Sequence, residues 1–298
     1  MIYTYLNKAQ AGQDAVRLVG VGAVGHRFVQ QLRAEAPPPL AELLQLEPQP
    51  LGAQGDVDVD VDADCMQGVV VLFIALALDA TEDEAKAARD LVQRLRKEGG
   101  AAGSPSYAIG ILLYPEGKAL EDHIVVKIDA ASNFIRALDG RIGVDGRIGH
   151  QVRQSIGWAY AALRKLTVDG ILILEPAWDL QDVAEVLSLP GSELKLMTVK
   201  MAPSEPLGSA LDRAFEKLVL EGVELAFAGG VLVVLWHPAS DRLSSREVRE
   251  VNRELMQRLD NGILQLMLRV TSHRDLPHAR ACMTMVVSTW GGFSGTKP

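Results

Sequence analysis

Gly20, Gly22 and Gly25, in the stretch Gly20-Val21-Gly22-Ala23-Val24-Gly25, are spaced as the turn that cradles a nucleotide phosphate would be. They lie between the apolar run Val16 to Val19 and a helical pattern from Phe28 to Leu32. Glycine accepts positive φ and lets a ligand come close to the backbone. A helix that opens just after such a turn aims unpaired N–H groups at a phosphate. Gly20, Gly22 and Gly25 are therefore candidate phosphate contacts, with Arg27 as a cationic clamp beside them. The bland alternative is a tight strand-to-helix turn that binds nothing. The same Gly-x-Gly-x-x-Gly spacing is the dinucleotide fingerprint, in which Glu47, following Leu43-Leu44, would hold a ribose. Against an NAD(P)-binding oxidoreductase stand the triple proline Pro37 to Pro39 and the lack of a His or Lys placed for hydride transfer.

Other reactive residue types combine less well. Five aspartates alternate through Asp56-Val57-Asp58-Val59-Asp60-Val61-Asp62-Ala63-Asp64, on one face if the segment is extended. The run has neither the glycine nor the closing glutamate of an EF-hand, so it reads as a charge-protected edge or a solvated loop. His237, His273 and His278 share no metal-ligand spacing with Cys65 and Cys282, and no zinc site is expected. Both cysteines sit in apolar runs and read as small packing residues. No Gly-x-Ser-x-Gly elbow is present, and no Ser/His/Asp set follows from spacing.

The 298 residues carry 30 Lys and Arg against 38 Asp and Glu, a net charge of -8. That balance argues against nucleic acid or an anionic membrane as the main partner, because either demands a basic patch. The longest apolar stretch, Gly68 to Leu78, is too short to span a bilayer, and the N-terminus lacks the apolar block of a secretory signal. A cytoplasmic location, with reduced cysteines, is the expectation.

The elements that must hold the glycine turn alternate between strand and helix. Strand Val16 to Val19 and helix Gly25 to Ala34 come first, the helix stopped by Ala36-Pro37-Pro38-Pro39. Strand Gly68 to Leu78 is apolar enough to be central and buried on both faces. Helix Glu82 to Glu98, strand Tyr107 to Tyr114, strand His123 to Ile128 and a helical turn around Phe134 to Leu138 follow. Gly140 to Gly149, with four glycines, reads as an exposed loop or ribbon. A helix from His150 to about Leu166 then links the halves through an apolar face of Val152, Ile156, Ala159, Tyr160, Leu163 and Leu166. Beyond it come an apolar Gly170 to Leu174, a helix Leu180 to Leu189, strand Leu194 to Ala202 and helix Leu207 to Leu220. Strand Gly230 to His237, helix Ser244 to Leu259 and strands Ile263 to Ser272 and Arg280 to Thr289 complete the chain. The expected fold is α/β: a Rossmann-like N-terminal domain with a mostly parallel sheet (1–149), a long central helix (150–169) and an α+β C-terminal domain with a mixed sheet (170–298).

This order of elements resembles the tubulin/FtsZ superfamily of filament-forming GTPases over nearly the whole length. Val19 to Gly25 looks like that family's first phosphate loop, with His26 and Arg27 where a small residue or asparagine is usual. Gly230-Val231-Leu232-Val233-Val234, Leu243 to Val248, Met283 to Val287 and Ala210 to Ala214 are similar to the FtsZ second domain. Trp178-Asp179-Leu180-Gln181-Asp182-Val183 resembles the Leu-Asp-Phe-Ala-Asp-Val loop that enters the nucleotide site of the next subunit. The resemblance thus implies Asp179 and Asp182 as the acids that polarise the attacking water, although an acidic first turn of a helix would look the same. Ile128 to Asn133 looks like the family's Ile-Pro-Asn-Asp loop, leaving Asn133 as a base or ribose contact, or as a plain helix N-cap. GTP or GDP, with Mg2+, is the cofactor set implied. The implied partner is a second copy or an FtsZ-like relative.

The departures weaken the implied chemistry. Where the family has a Gly-Gly-Gly-Thr-Gly-Thr-Gly signature, this chain has Ala75-Leu76-Ala77-Leu78-Asp79-Ala80-Thr81-Glu82-Asp83-Glu84. Thr81 with Glu84 is a capping box, which occupies the N–H groups that would hold phosphate. Asp79, Glu82, Asp83 and Glu84 add like charge. Each carboxylate within about 5 Å of a triphosphate opposes it by about 1–3 kcal/mol at an effective dielectric near 20 to 60. Tyr114 to Asp122 is too short for the helix and sugar-contacting arginine of the family. The chain stops at Pro298, soon after the last strand, so the usual tail-binding division partners are not expected. The expectation is an FtsZ/tubulin-like cytoskeletal or scaffold protein, acting by self-assembly or co-assembly, with GTP binding and hydrolysis weak or lost. A GTPase with an unconventional phosphate site is the alternative.

Overall fold

The apolar runs pair into one sheet and the amphipathic patterns wind into helices that cover its two faces. In the computed structural model, the structure describes residues 15–37, 41, 66, 68–99, 106–114, 129–144, 149–169, 186–187, 192–203, 205–225, 228–259, 265–273 and 281–290. In chain order the elements are β1 (Val16–Gly20), α1 (Gly22–Ala34), β2 (Val71–Ala77), α2 (Glu82–Glu98), β3 (Tyr107–Leu113), α3 (Asp129–Ala137), β4 (Gly140–Val144) and α4 (Gly149–Asp169). They continue as β5 (Ser192–Met201), α5 (Leu207–Leu220), β6 (Ala228–Pro238), α6 (Ser245–Arg258), β7 (Gln265–His273) and β8 (Ala281–Trp290).

The eight described strands lie in the order β1-β2-β3-β4-β5-β8-β6-β7. The first five are parallel, β6 and β7 are parallel to each other, and β8 runs antiparallel between β5 and β6. The parallel first half and mixed second half are as the sequence predicts. Among the described residues the two halves are joined in the sheet by a short ladder, in which Gly140 pairs with Ser192 and Arg141 with Glu193. Every residue of β2 is buried, as a central strand demands.

Side chains alternate along the strands and sort into separate cores. Val71, Phe73 and Ala75 of β2 pack with α1 and α4, whereas Leu72, Ile74 and Leu76 pack with α2 and with Phe134 of α3. In the second half, α5 and α6 cover Met197, Val199 and Met201 of β5 and Val231, Val233 and Leu235 of β6. The α4 core continues across the seam to Leu194, Leu196, Leu232 and Trp236.

Two segments differ from the sequence expectation. Residues 140–144 are a strand in the sheet rather than an exposed loop, with Gly140, Ile142 and Val144 buried. The glycines that suggest a loop are there for close packing: a Cβ on Gly140 would lie 2.6 Å from Leu187 O, and one on Gly143 would lie 3.2 Å from the Tyr114 ring. Residues 129–137 are helical, so the stretch around Asn133 is not a loop. The expected strand 123–128, the apolar segment 170–174, Cys65 and the aspartate run 56–64 lie outside the described residues, as does most of helix 180–189, of which 186–187 are helical.

The β5–α5 connection is held by an ion pair with a pH signature. Arg213 Nε donates to Glu205 Oε1 at 3.0 Å, Arg213 Nη2 donates to Lys200 O at 2.9 Å, and Ala202 N–H donates to Glu205 Oε2 at 3.0 Å. Burial alone would push the Glu205 pKa up, but the Ala202 N–H and the Arg213 guanidinium outweigh it and hold the carboxyl below its ordinary value. A lowered folded pKa means the stabilisation is present above the ordinary carboxylate range and is lost as pH falls through the folded value. Glu205→Gln is therefore expected to cost about 1 kcal/mol near neutral pH. The gap from the parent chain should narrow as pH falls below the ordinary carboxylate range and through the lowered folded value. Urea midpoints across that range check it; a pH-independent gap contradicts it.

Candidate functional site

The β1 and β2 C-terminal ends form the place where a ligand crevice is expected. Gly20 pairs with Ala75 across this parallel pair, and Val21 N–H donates to Ala75 O at 2.9 Å. Because α1 packs on one face of the sheet and α2 on the other, the loops that follow β1 and β2 part there.

Each of the three glycines has a physical reason to be glycine. A Cβ on Gly20 would lie 2.6 Å from His26 N, against the backbone of α1. One on Gly25 would lie 3.2 Å from the Ala75 carbonyl carbon and far closer to its oxygen. These two positions let α1 dock onto β1 and β2. Gly22, the first residue of α1, has φ +70, a left-handed conformation that a side chain would strain.

The space over Gly22 is filled from α2. A Cβ on Gly22 would lie 2.5 Å from Glu84 Cδ and nearer still to Glu84 Oε1. The other carboxylate oxygen, Oε2, accepts from Thr81 N–H at 2.8 Å and Thr81 Oγ1 at 3.0 Å, while Glu84 N–H donates to Thr81 Oγ1 at 3.3 Å. Thr81 and Glu84 thus form both arms of the expected capping box. Asp79, Glu82 and Asp83 are exposed around it and Glu84 is half-buried. The entrance of α1 has the opposite character. Its N-cap, Val21, offers no side-chain hydrogen bond, and no acidic residue lies in its first turn.

The remaining candidates are dispersed. Arg27 is exposed on α1, beside a contact of 2.6 Å between His26 Nε2 and Gln30 Nε2. Asn133 is exposed in the middle of α3, on the sheet face opposite α1, so it caps no helix. Asp179, Asp182 and Glu47 lie outside the described residues. His237 is buried with Nδ1 2.8 Å from Pro238 O, and burial pushes the Cys282 thiol up to about 12, so both are packing residues. Among the described residues no group of three or more His, Cys, Asp or Glu could hold a metal. No described helix is long and apolar enough to cross a membrane.

The sequence matches no family model and no curated protein. Solved structures do match. An empty FtsZ dimer from M. jannaschii superposes with a TM-score of 0.62 and 15% identity, over 95% of this chain and 90% of that one. The chain has the FtsZ/tubulin fold. CetZ from Methanosaeta thermophila strain DSM 6194 gives a TM-score of 0.57 at 15% identity, over 92% of this chain and 86% of that one. A helical model of the TubZ-Bt two-stranded filament gives 0.51 at 12% identity, over 94% and 86%. At such identities the likeness establishes architecture only. Within this FtsZ/tubulin fold, the position at which the resemblance expects a glycine signature is a capped, acidic helix entrance. That entrance holds a capping box and carboxylates in place of glycines.

Sequence reasoning found the capping box but missed that Glu84 also reaches Gly22. Nothing local signals it, because the two residues are brought together only by the pairing of β1 with β2.

Proposed function

We propose that this chain is an FtsZ/tubulin-like cytoskeletal or scaffold protein that acts by assembling with itself or with an intact relative, with GTP binding and hydrolysis weak or lost. The observation that carries the loss is the Glu84 carboxylate seated over Gly22, where a phosphate would otherwise approach. Assembly is supported by the fold shared with an FtsZ dimer and with a TubZ filament.

Asp179 and Asp182 are the family-implied acids of the contact with the next copy.

Sedimentation and electron microscopy, with and without GTP and Mg2+, test the proposal. Polymer is expected without nucleotide and is expected to dissolve towards about 1 M salt, where charges are screened beyond about 3 Å. A protein that stays monomeric alone and with an FtsZ-like partner overturns it. One observation favours a residual nucleotide contact: the uncapped entrance of α1. In that second reading the backbone at Gly22 and Gly25, with Arg27, would hold the phosphate, and Asp179 and Asp182 would act from the next copy. Hydrolysis per molecule would then rise with protein concentration.

A further inference from the structure

Four carboxylates crowd the α2 entrance, but only Glu84 turns inward. Asp79, Glu82 and Asp83 are exposed, whereas Glu84 spans two helix starts, capping its own through Oε2 and covering Gly22 of α1 with Oε1. The α1 start has the partial positive charge of unpaired N–H groups and no side chain of its own to balance it.

The second half repeats the device. The α5 start also has an N-cap without a side-chain hydrogen bond, Pro206, and no acid in its first turn. There Glu254 of α6 lies over Gly208, both of its carboxylate oxygens 3.2 Å from where a Cβ would be. In each half, a glutamate from a neighbouring helix fills a hollow left by glycine at an uncapped helix start.

We propose that Glu84 is a built-in, autoinhibitory anion: it takes the place of a diphosphate over Gly22 and by itself keeps the β1–β2 crevice closed to phosphate. This rests on the proposal that binding of a nucleotide tail is weak, and it assigns that weakness to one side chain rather than to the acidic cluster as a whole. Glu84→Ala opens the hollow and removes the charge. Glu84→Gln removes the charge yet keeps the capping box, because glutamine also serves at that position. It therefore remains informative if the alanine variant folds poorly. Glu82→Ala, which removes an exposed carboxylate from the same helix entrance, is the matched control.

Calorimetric titration of the full chain with inorganic pyrophosphate reads the effect. Glu84→Ala is expected to bind at least tenfold more tightly than the parent chain, with Glu84→Gln in between and Glu82→Ala within about twofold of the parent. The proposal is overturned if Glu84→Ala binds no more tightly than the parent, or if Glu82→Ala gains as much. Pyrophosphate binding does not require polymer, so failure of the assembly proposal and failure of this one are separate results.

Discussion

Gly25→Ala is expected to destabilise the protein by about 3 kcal/mol, the upper part of the range for forcing an extra methyl into a packed site. The methyl would meet the backbone of Ala75 in β2, a strand buried along its whole length, and backbone cannot rotate away as a side chain can. Gly20→Ala presses on the backbone at Gly25 and His26 from the other side and should cost a similar amount. Gly22→Ala behaves differently. Its methyl would strike the flexible Glu84 side chain, so Glu84→Ala in the same chain should recover part of the loss and leave about 1 kcal/mol of left-handed backbone strain. Urea denaturation of the single and double variants measures these terms. A Gly25→Ala variant within about 0.5 kcal/mol of the parent would show that α1 does not dock as closely as the geometry requires.

That contrast bears on how much of the site the sequence reveals. The spacing of Gly20, Gly22 and Gly25 announces a strand–turn–helix junction, and the junction is there. It does not announce a ligand, because two of the three glycines are explained by helix-on-strand packing and the third by a carboxylate. Local signals read truly: the burial of β2, the box of Thr81 with Glu84, and α5 at Leu207–Leu220 all follow from composition and short-range spacing. The same short-range signature, Ser244 with Glu247, marks the start of α6, where both arms of a second capping box are formed. Signals that depend on a neighbour across the fold mislead. Gly140 and Gly143 look like loop formers until Leu187 and Tyr114 are seen to lie against them, and Asn133 looks like a cap until the helix is seen to begin at Asp129.

Functional inference from a glycine turn therefore depends on what faces it. An uncapped helix start next to an apolar wall would take an anion from solution. Here the facing element begins with acids, and its third residue closes the hollow. The packing of α1 on β1 and β2 requires the same backbone path whether or not phosphate binds. Retention of shape is thus weak testimony for retention of chemistry in this chain.

Trp236→Ala is expected to cost about 3–5 kcal/mol and to loosen the packing of the second half on α4. Trp236 of β6 is wholly buried, and its ring meets Trp158 of α4 edge-on, with centroids 5.4 Å apart and planes at 62°. Two residues along α4, Tyr160 turns to the first half instead: its hydroxyl donates to Val16 O at 3.2 Å, and its ring lies 5.9 Å from Phe73. The helix is thus pegged on one side to β1 and β2 and on the other to β6. Among the described residues the direct ladder between the halves has the pairs Gly140–Ser192 and Arg141–Glu193. Loss of the ring removes a large apolar surface together with an aromatic pair worth about 0.5–1.5 kcal/mol beyond its area, against a total stability on the order of 5–15 kcal/mol. Trp236→Phe should cost less, about 1–2 kcal/mol, because it keeps a ring and deletes an indole N–H that is buried without an acceptor. Unfolding followed by circular dichroism and by tryptophan fluorescence should coincide in the parent and separate in Trp236→Ala, as the second half loosens from α4 before the first half melts. Coincident transitions in that variant would mean that the sheet, not the aromatic pair, makes the halves unfold as one.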